Sequence, residues 1–270
     1  MKSEVFNGSR FWNYFKYDLV QMWRNHMKAA IGIGLSGVII YFLVVLFNLV
    51  FSGAWCGPNV GIRVATFVFA GAALEFYYTR IYGYLTDRRK GSAWLMIPAS
   101  AFEKWLSMMI MALIVLPIVL AVVFLSLDWF MAVIDPTVGN SLLYYVHHGY
   151  NAFSDALVEV NAEYETFWTP ETFVPVMLAS FCFNYLFFLI CGICFKKNKI
   201  LNAILVIILF SIVWSIIMNQ FGAPTYYSFE NFSEAQGFIE KTLDTMTLIT
   251  SLLAAGIAGG IFYRIKTIKH

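Results

Sequence analysis

Long apolar runs alternate with short polar segments along the chain, and each run is about as long as a membrane-crossing helix. The runs lie at residues 29–51, 64–82, 105–127, 173–195, 200–218 and 246–265. A helix needs about 20 predominantly apolar residues to cross the roughly 30 Å hydrocarbon core of a bilayer. The pattern predicts an all-α polytopic membrane protein with six transmembrane helices in a single transmembrane domain, residues 1–270.

The segment before the first run, residues 10–26, has the period of an amphipathic helix. Six apolar side chains fall on one arc of that helix: Phe11, Trp12, Phe15, Leu19, Met22 and Trp23. Polar and amphipathic side chains lie opposite: Asn13, Tyr17, Gln21 and Arg24. This pattern predicts a helix lying in the membrane interface. Two interpretations stay open, a simple anchor and a contact with a cytoplasmic partner.

The segment between the second and third runs, residues 84–104, is basic and rich in turn formers. It contains four consecutive charges, Asp87, Arg88, Arg89 and Lys90, in a chain that is only 13% charged. Such a cluster belongs in water at the membrane face. Trp94 and the three apolar residues after it interrupt this polar loop, which predicts a short element that docks against another surface.

The same segment carries a signal for the start of the next helix. Pro98 prevents a helix from continuing through it, and Ser100 and Glu103 have the S-x-x-E spacing of a capping box. The sequence therefore predicts that a new helix begins at about Ala101.

Composition and charge narrow the class and orient the chain. Hydrophobic residues make up 60% of the sequence, too many for a soluble globule of this size, and nothing supports nucleic-acid binding. Every Lys and Arg except Arg63 and Lys241 falls on one predicted face. Basic residues concentrate on the cytoplasmic side, so both termini are expected inside, in the cytoplasmic (inner) membrane of a bacterium.

Two ionisable residues lie in the second run. Glu75 is near mid-depth and Arg80 is closer to the 84–104 segment. A carboxylate at that depth is costly and must face protein or water. A role in the transport pathway or in gating and a buried structural hydrogen bond are both open for Glu75.

The longest polar segment, residues 128–171, predicts an acidic outer loop. It holds seven carboxylates and no Lys or Arg. Asp155, Glu159 and Glu163 would share one helical face, and His147 and His148 are potential ligands for a divalent cation. A solvated face is the preferred interpretation, so no metal site is predicted.

Catalytic signatures are absent from the sequence. No G-x-x-x-x-G-K-[ST] occurs, so no P-loop for ATP is expected in this chain. Neither H-E-x-x-H nor G-x-S-x-G is present, so no hydrolase site and no catalytic residue are predicted.

The stretch W-L-M-I-P-A-S-A-F-E-K-W, residues 94–105, resembles the L-P-x-S-x-x-E-K signature of permease subunits of bacterial type-2 ABC exporters. Ile97 stands where the signature usually has Leu. The six runs, the amphipathic segment and the basic loop are also similar to that family, in architecture over essentially the whole chain.

The resemblance implies that the 84–104 segment contains a coupling helix that docks on a separate cytoplasmic ATPase subunit. By position, Asp87, Arg88, Arg89, Lys90 and Trp94 would carry this contact, and four residues match the signature: Pro98, Ser100, Glu103 and Lys104. It also implies a second permease subunit, identical or similar, in the bilayer. ATP and Mg would be bound by the partner ATPase, with no cofactor on this chain.

Two other functions remain open at this point. An ion-coupled secondary transporter or channel would use Glu75 in its pathway. A membrane scaffold or sensor would bind a ligand on the acidic outer loop, residues 128–171.

Overall fold

The computed structural model describes residues 6–145, 148, 170–221 and 232–268, and within these residues it contains helices and no strands. The predicted all-α class is confirmed for this part of the chain. Contacts group the chain into two compact units: the first comprises Met1–Ile81 and Pro98–Ala152, and the second Tyr82–Ile97 and Phe153–His270.

The α-helices in chain order are α1 (Gly8–Gly34), α2 (Ser36–Ser52), α3 (Val60–Ile81), α4 (Arg88–Leu95), α5 (Ala101–Ile110), α6 (Leu116–Ile134), α7 (Pro170–Cys194), α8 (Lys199–Phe221) and α9 (Phe232–Thr267). Short 3₁₀ turns cover Gly83–Thr86 and Pro136–Val138, and a π-helical turn, Met111–Val115, joins α5 to α6.

In the first unit, α1 extends well beyond the predicted interfacial segment. Asn7 caps it by accepting hydrogen bonds from the backbone N–H groups of Ser9 and Arg10. The helix then continues through residues 10–26 to Gly34, so this segment and the start of the predicted first span share one helix. The break falls at Leu35, between α1 and α2.

The face that α1 buries overlaps the predicted apolar arc only in part. Its buried residues include Met22 of the arc and also Tyr14 and Asp18, which lie outside it, whereas Trp12 and Trp23 of the arc are exposed. Hydrophobicity alone does not predict the burial of Asp18, whose carboxylate accepts a hydrogen bond from Ser107 of α5. The two exposed tryptophans remain suited to a membrane interface, where such rings are enriched.

Two glycines allow α1 and α2 to approach α6 closely. A Cβ atom on Gly34 would lie 2.7 Å from Val123 Cγ1, and one on Gly37 would lie 3.0 Å from Phe124 Cε2. Glycine at these two positions therefore permits close helix packing. A side chain at either one would push α6 away.

The predicted start of the third run is confirmed, and its proline has a visible effect. The capping box forms, with Ser100 accepting from the backbone of Glu103, and α5 begins at Ala101. The π-helical turn ends just before α6, in which Pro117 is the second residue. Proline lacks an N–H group and crowds the preceding turn, and a π turn accommodates both effects.

In the second unit, α7 and α9 pack along each other, and the 3₁₀ turn Gly83–Thr86 contacts α4 and α7. Gly260 of α9 faces Ile190 of α7 closely. A tight turn joins α7 to α8, and Asn198 in that turn adopts the left-handed backbone conformation (φ 48°).

Five helical segments are long and apolar enough to cross a membrane: Gly8–Ser52, Val60–Thr86, Ala101–Ile134, Val174–Cys194 and Lys241–Thr267. They correspond to five of the six predicted runs. The remaining run lies in α8, which is helical throughout but whose described apolar stretch is the shorter Lys199–Val213. The chain is therefore compatible with a multi-pass membrane protein.

The start of the predicted outer loop was placed too early. Helix α6 continues through Asp128 to Ile134, and Asp128 is buried in the helix rather than solvated. Most of this loop, including Asp155, Glu159 and Glu163, lies outside the described residues.

Candidate functional site

The predicted coupling segment is divided between the two units at Pro98. Its first part belongs to the second unit, where the 3₁₀ turn Gly83–Thr86 leads directly into α4. Asp87 is exposed between them, and its carbonyl accepts the backbone N–H of Gly91 at 2.8 Å. Arg88, Arg89 and Lys90 form the first turn of α4, and their side chains lie outside the described residues.

Helix α4 and the residues after it give the segment one buried and one exposed apolar side chain. Trp94 is only 4% exposed. Met96, just beyond the helix, is 82% exposed. Trp94 was expected to be the surface anchor of this segment, but the structure places Met96 in the exposed position. An indole that is already buried stabilises the chain's own fold, so a partner would meet Met96 first.

Lys199, the first residue of α8, holds the base of this segment. Its Nζ donates to the carbonyl of Gly83, to Thr86 Oγ1 at 2.6 Å and to the carbonyl of Gly192 at 3.1 Å. The Thr86 hydroxyl donates in turn to the Gly83 carbonyl at 2.9 Å. Burial lowers the pKa of Lys199, and the nearby charge of Asp87 raises it in part. The ammonium therefore joins the 3₁₀ turn to the end of α7.

The second part of the predicted segment belongs to the first unit and begins α5. The Glu103 side chain is fully buried and accepts hydrogen bonds from the backbone N–H of Ser100 at 2.8 Å and of Asn7 at 3.0 Å. It also forms an ion pair with Arg10, with Nε 2.8 Å from Oε2 and Nη2 2.8 Å from Oε1. These four residues, Asn7, Arg10, Ser100 and Glu103, are called the Glu103 cluster below. The cluster joins the start of α1 to the start of α5.

A second hydrogen bond joins the same two helices. Ser107 of α5 donates to Asp18 of α1 at 2.7 Å, and Lys104 beside the cluster is buried. Of the signature residues, Ser100, Glu103 and Lys104 therefore lie inside the first unit, and only Pro98 is exposed. Sequence reasoning assigned all of them to coupling, whereas the contacts of Ser100 and Glu103 are those of folding residues.

Glu75 and Arg80, the other predicted functional pair, lie in α3 but are not brought together. Glu75 is half-buried and Arg80 is exposed. No hydrogen bond or ion pair is found for the Glu75 carboxylate among residues 6–145, 148, 170–221 and 232–268. Tyr77 lies one helical turn before Arg80, and its hydroxyl forms a hydrogen bond with His26 Nδ1 at 3.0 Å.

A second polar cluster, which the sequence did not predict, lies where α3 begins and α6 ends. Arg63 is 6% exposed, and its Nη1 is 2.9 Å from Asp128 Oδ1. Arg63 Nη2 also donates to the carbonyls of Asn140 at 2.7 Å and of Val138 at 3.3 Å. The backbone N–H of Leu142 donates to Asp128 Oδ2 at 2.5 Å. These five residues are called the Arg63 cluster.

Asp135 organises the chain next to this cluster. Its Oδ2 accepts from the Tyr41 hydroxyl at 2.6 Å and from the Trp55 indole at 3.1 Å, and its Oδ1 accepts from Thr137. Burial alone would raise the pKa of Asp135, but these hydrogen bonds outweigh burial and lower the pKa to about 2. The carboxylate is therefore ionised at neutral pH and joins the end of α6 to α2.

The Glu103 and Arg63 clusters mark opposite ends of one helical run. Glu103 is near the start of α5 and Asp128 is near the end of α6, about 25 residues apart, which corresponds to about 38 Å at 1.5 Å per residue. The hydrocarbon core of a bilayer is about 30 Å thick. The spacing therefore allows each cluster to lie at one membrane–water boundary, with apolar helix between them.

Comparisons with models of protein families, with curated proteins and with solved structures find no match for this chain.

Proposed function

We propose that this chain is the membrane-spanning permease subunit of an ATP-driven exporter of the type-2 ABC class. In this proposal six helices cross the bacterial cytoplasmic membrane with both termini inside, and two identical or similar subunits form the substrate pathway. Separate cytoplasmic ATPase subunits bind ATP and Mg and dock on the segment Gly83–Ile97, called the docking segment below.

The observation that carries the proposal is the shape of the docking segment. The short helix α4 follows one membrane-length helix in the chain and precedes another, and it begins with charged residues. Met96, just beyond its end, is 82% exposed. Met is flexible and is enriched at protein interfaces. A segment that only connected two spans would not need a helix in which Trp94 is buried while Met96, two residues later, is exposed.

The charge distribution supports the orientation. Arg63 is one of the two basic residues on the predicted outer face, and its ion pair with Asp128 neutralises its charge. The basic residues of the docking segment and of the α7–α8 turn then share the inner face. Basic residues near span ends favour the cytoplasmic side.

Co-expression with a candidate ATPase tests the proposal through Met96→Asp. A charge at an apolar interface position is expected to cost about 2 kcal/mol, roughly a 30-fold rise in Kd for the ATPase. The matched control is Ile134→Asp, because Ile134 is also an exposed apolar residue but lies at the end of α6. Co-purification should fall for Met96→Asp alone. Equal co-purification for both variants and the wild type would remove the docking segment from the interface.

The charged turn of α4 gives a second test of the same interface. Reversing Arg88 and Arg89 to Glu is expected to slow association with the ATPase and to make the loss depend on salt, since charges at an interface rim mainly steer encounter. Association rates at low and high ionic strength measure this effect. An association rate unchanged by the reversal at low salt would contradict a charged docking surface.

A second candidate function rests on Glu75. Within the described residues this half-buried carboxylate has no hydrogen-bond or ion-pair partner, as a proton- or cation-binding group in a transport pathway would require. Glu75→Gln keeps the shape and removes the charge. Gradient-driven flux by the purified chain without any ATPase, abolished in this variant, would favour the ion-coupled transporter.

A further inference from the structure

Lys199 occupies an unusual position for a cation. It is the first residue of α8, where the partial positive charge of the helix amino terminus opposes another positive charge. Lys196 and Lys197 in the preceding turn are exposed, whereas Lys199 is partly buried. Its placement is explained by the groups that its ammonium reaches rather than by its own helix.

Those groups belong to the ends of two other helical elements. The carbonyl of Gly192 lies in the last turn of α7, and the carbonyl of Gly83 and the hydroxyl of Thr86 belong to the 3₁₀ turn. Carbonyls in the last turn of a helix, such as that of Gly192, lack partners within the helix, and Lys side chains satisfy them effectively. One ammonium thus satisfies the end of α7 and links it to the 3₁₀ turn.

The local shape of the chain fits this link closely. A Cβ atom at position 83 would lie 3.0 Å from Lys199 Nζ and 3.4 Å from its Cδ. Glycine at position 83 therefore lets the lysine side chain lie against the 3₁₀ turn. A larger residue would push the Lys199 side chain a few tenths of an ångström away from the 3₁₀ turn and so lengthen the contacts of its ammonium.

We propose that Lys199 is the positioning residue of the docking segment: it fixes the base of α4 to the α7–α8 turn, so that movement of the docked ATPase is passed to α7 and α8. The positional part of this inference stands on contacts within the second unit. The transmission part rests on the proposed function.

The positional part is tested without any ATPase, by a spin label attached at Met96→Cys in a background that lacks the native cysteines. Lys199→Met removes the ammonium and keeps the side-chain length. We expect the mobile fraction of the label to rise roughly tenfold, because the variant loses the charge-assisted hydrogen bonds that the Lys199 ammonium donates. Lys197→Met, an exposed lysine of the same turn, is the matched control and should leave the spectrum unchanged.

Gly83→Ala provides a second route to the same result, because it leaves the charge in the chain but displaces it. This variant should also increase the mobile fraction of the label. An unchanged spectrum for both folded variants would overturn the positioning role, whatever the function of the protein.

The transmission part is tested with a co-purifying ATPase. Lys199→Met should leave co-purification within about twofold of the wild type, since the interface residues are intact, while stimulation of ATP hydrolysis by the permease falls about tenfold. Unchanged stimulation alongside a mobile label would overturn transmission through Lys199. Failure of the wild type to bind any ATPase would reject the proposed function instead and leave the label result standing.

Discussion

The Glu103 cluster and the Arg63 cluster are both centred on an ion pair in the first unit, yet they differ in burial and in whether a local contact supports the pair. Arg10 in the Glu103 cluster is 28% exposed, whereas Arg63 and Asp128 are each 6% exposed. Both ion pairs are long-range, with Arg10 and Glu103 93 residues apart and Arg63 and Asp128 65 residues apart. Glu103 is held in addition by Ser100, three residues away. The local contact starts a helix, and each long-range pair joins two helices.

The comparison also separates two costs of breaking an ion pair: the cost where the remaining charge is exposed to water and the cost where it is buried. Water still reaches Arg10, so the loss of Glu103 is partly compensated by solvent around the guanidinium. A charge buried on both sides has no such compensation, and removing its partner leaves it without neutralisation. The Arg63 cluster should therefore be the more sensitive of the two.

Arg63→Met is the largest expected perturbation. It leaves Asp128 buried and unpaired, which costs about 3 to 5 kcal/mol of stability by analogy with buried pairs in other proteins. Thermal unfolding of the purified protein in detergent measures the loss. Asp128→Asn added to Arg63→Met removes the second charge while keeping an acceptor for Leu142, and should recover part of it. A double variant no more stable than Arg63→Met would show that the charge pair does not explain the loss.

Glu103→Gln is expected to have an intermediate effect, about 1 to 3 kcal/mol, because a neutral amide keeps some hydrogen bonds but loses the ion pair with Arg10. Arg10→Met should be more costly than Glu103→Gln, since it leaves the fully buried Glu103 carboxylate without its countercharge, whereas Glu103→Gln leaves Arg10, which water still reaches. Unfolding of the wild type and the two variants under one set of conditions gives the order. An Arg10→Met protein more stable than Glu103→Gln would contradict the ranking.

Ser100→Ala is the smallest change in this series. It removes one hydrogen bond of the capping box and should cost about 1 kcal/mol, the usual cost of losing an N-cap. Ser126→Ala is its control, because the Ser126 hydroxyl is exposed and bonds only within its own helix turn. Equal stability of the two variants would mean that the cap contributes nothing measurable.

The distinction between local and long-range contacts also explains which parts of the fold the sequence could predict. The apolar runs and the capping box are local patterns, so five candidate spans and the start of α5 at Ala101 could be read directly. Helix ends were less predictable. The extension of α6 beyond Asp128 depends on Arg63, which lies far away in sequence and supplies the countercharge.

In the candidate site, too, local patterns could be predicted from the sequence and long-range packing could not. Charged residues before α4 could be recognised from composition, but which apolar side chain is exposed depends on packing. Trp94 is buried and Met96 is exposed, a difference that no local pattern encodes. Lys199 was counted only as one of several basic residues near the inner face, although its position at the start of a helix was a local sign of another partner.

Photo-crosslinking from the docking segment tests the central claim most directly. A photoreactive phenylalanine analogue is introduced at Met96, or at Phe51 as a control, which is 73% exposed at the end of α2. Cells that co-express the candidate ATPase are then irradiated. A covalent adduct with the ATPase from position 96, and none from position 51, is the predicted result. No adduct from position 96, or equal adducts from both, would contradict docking at this segment.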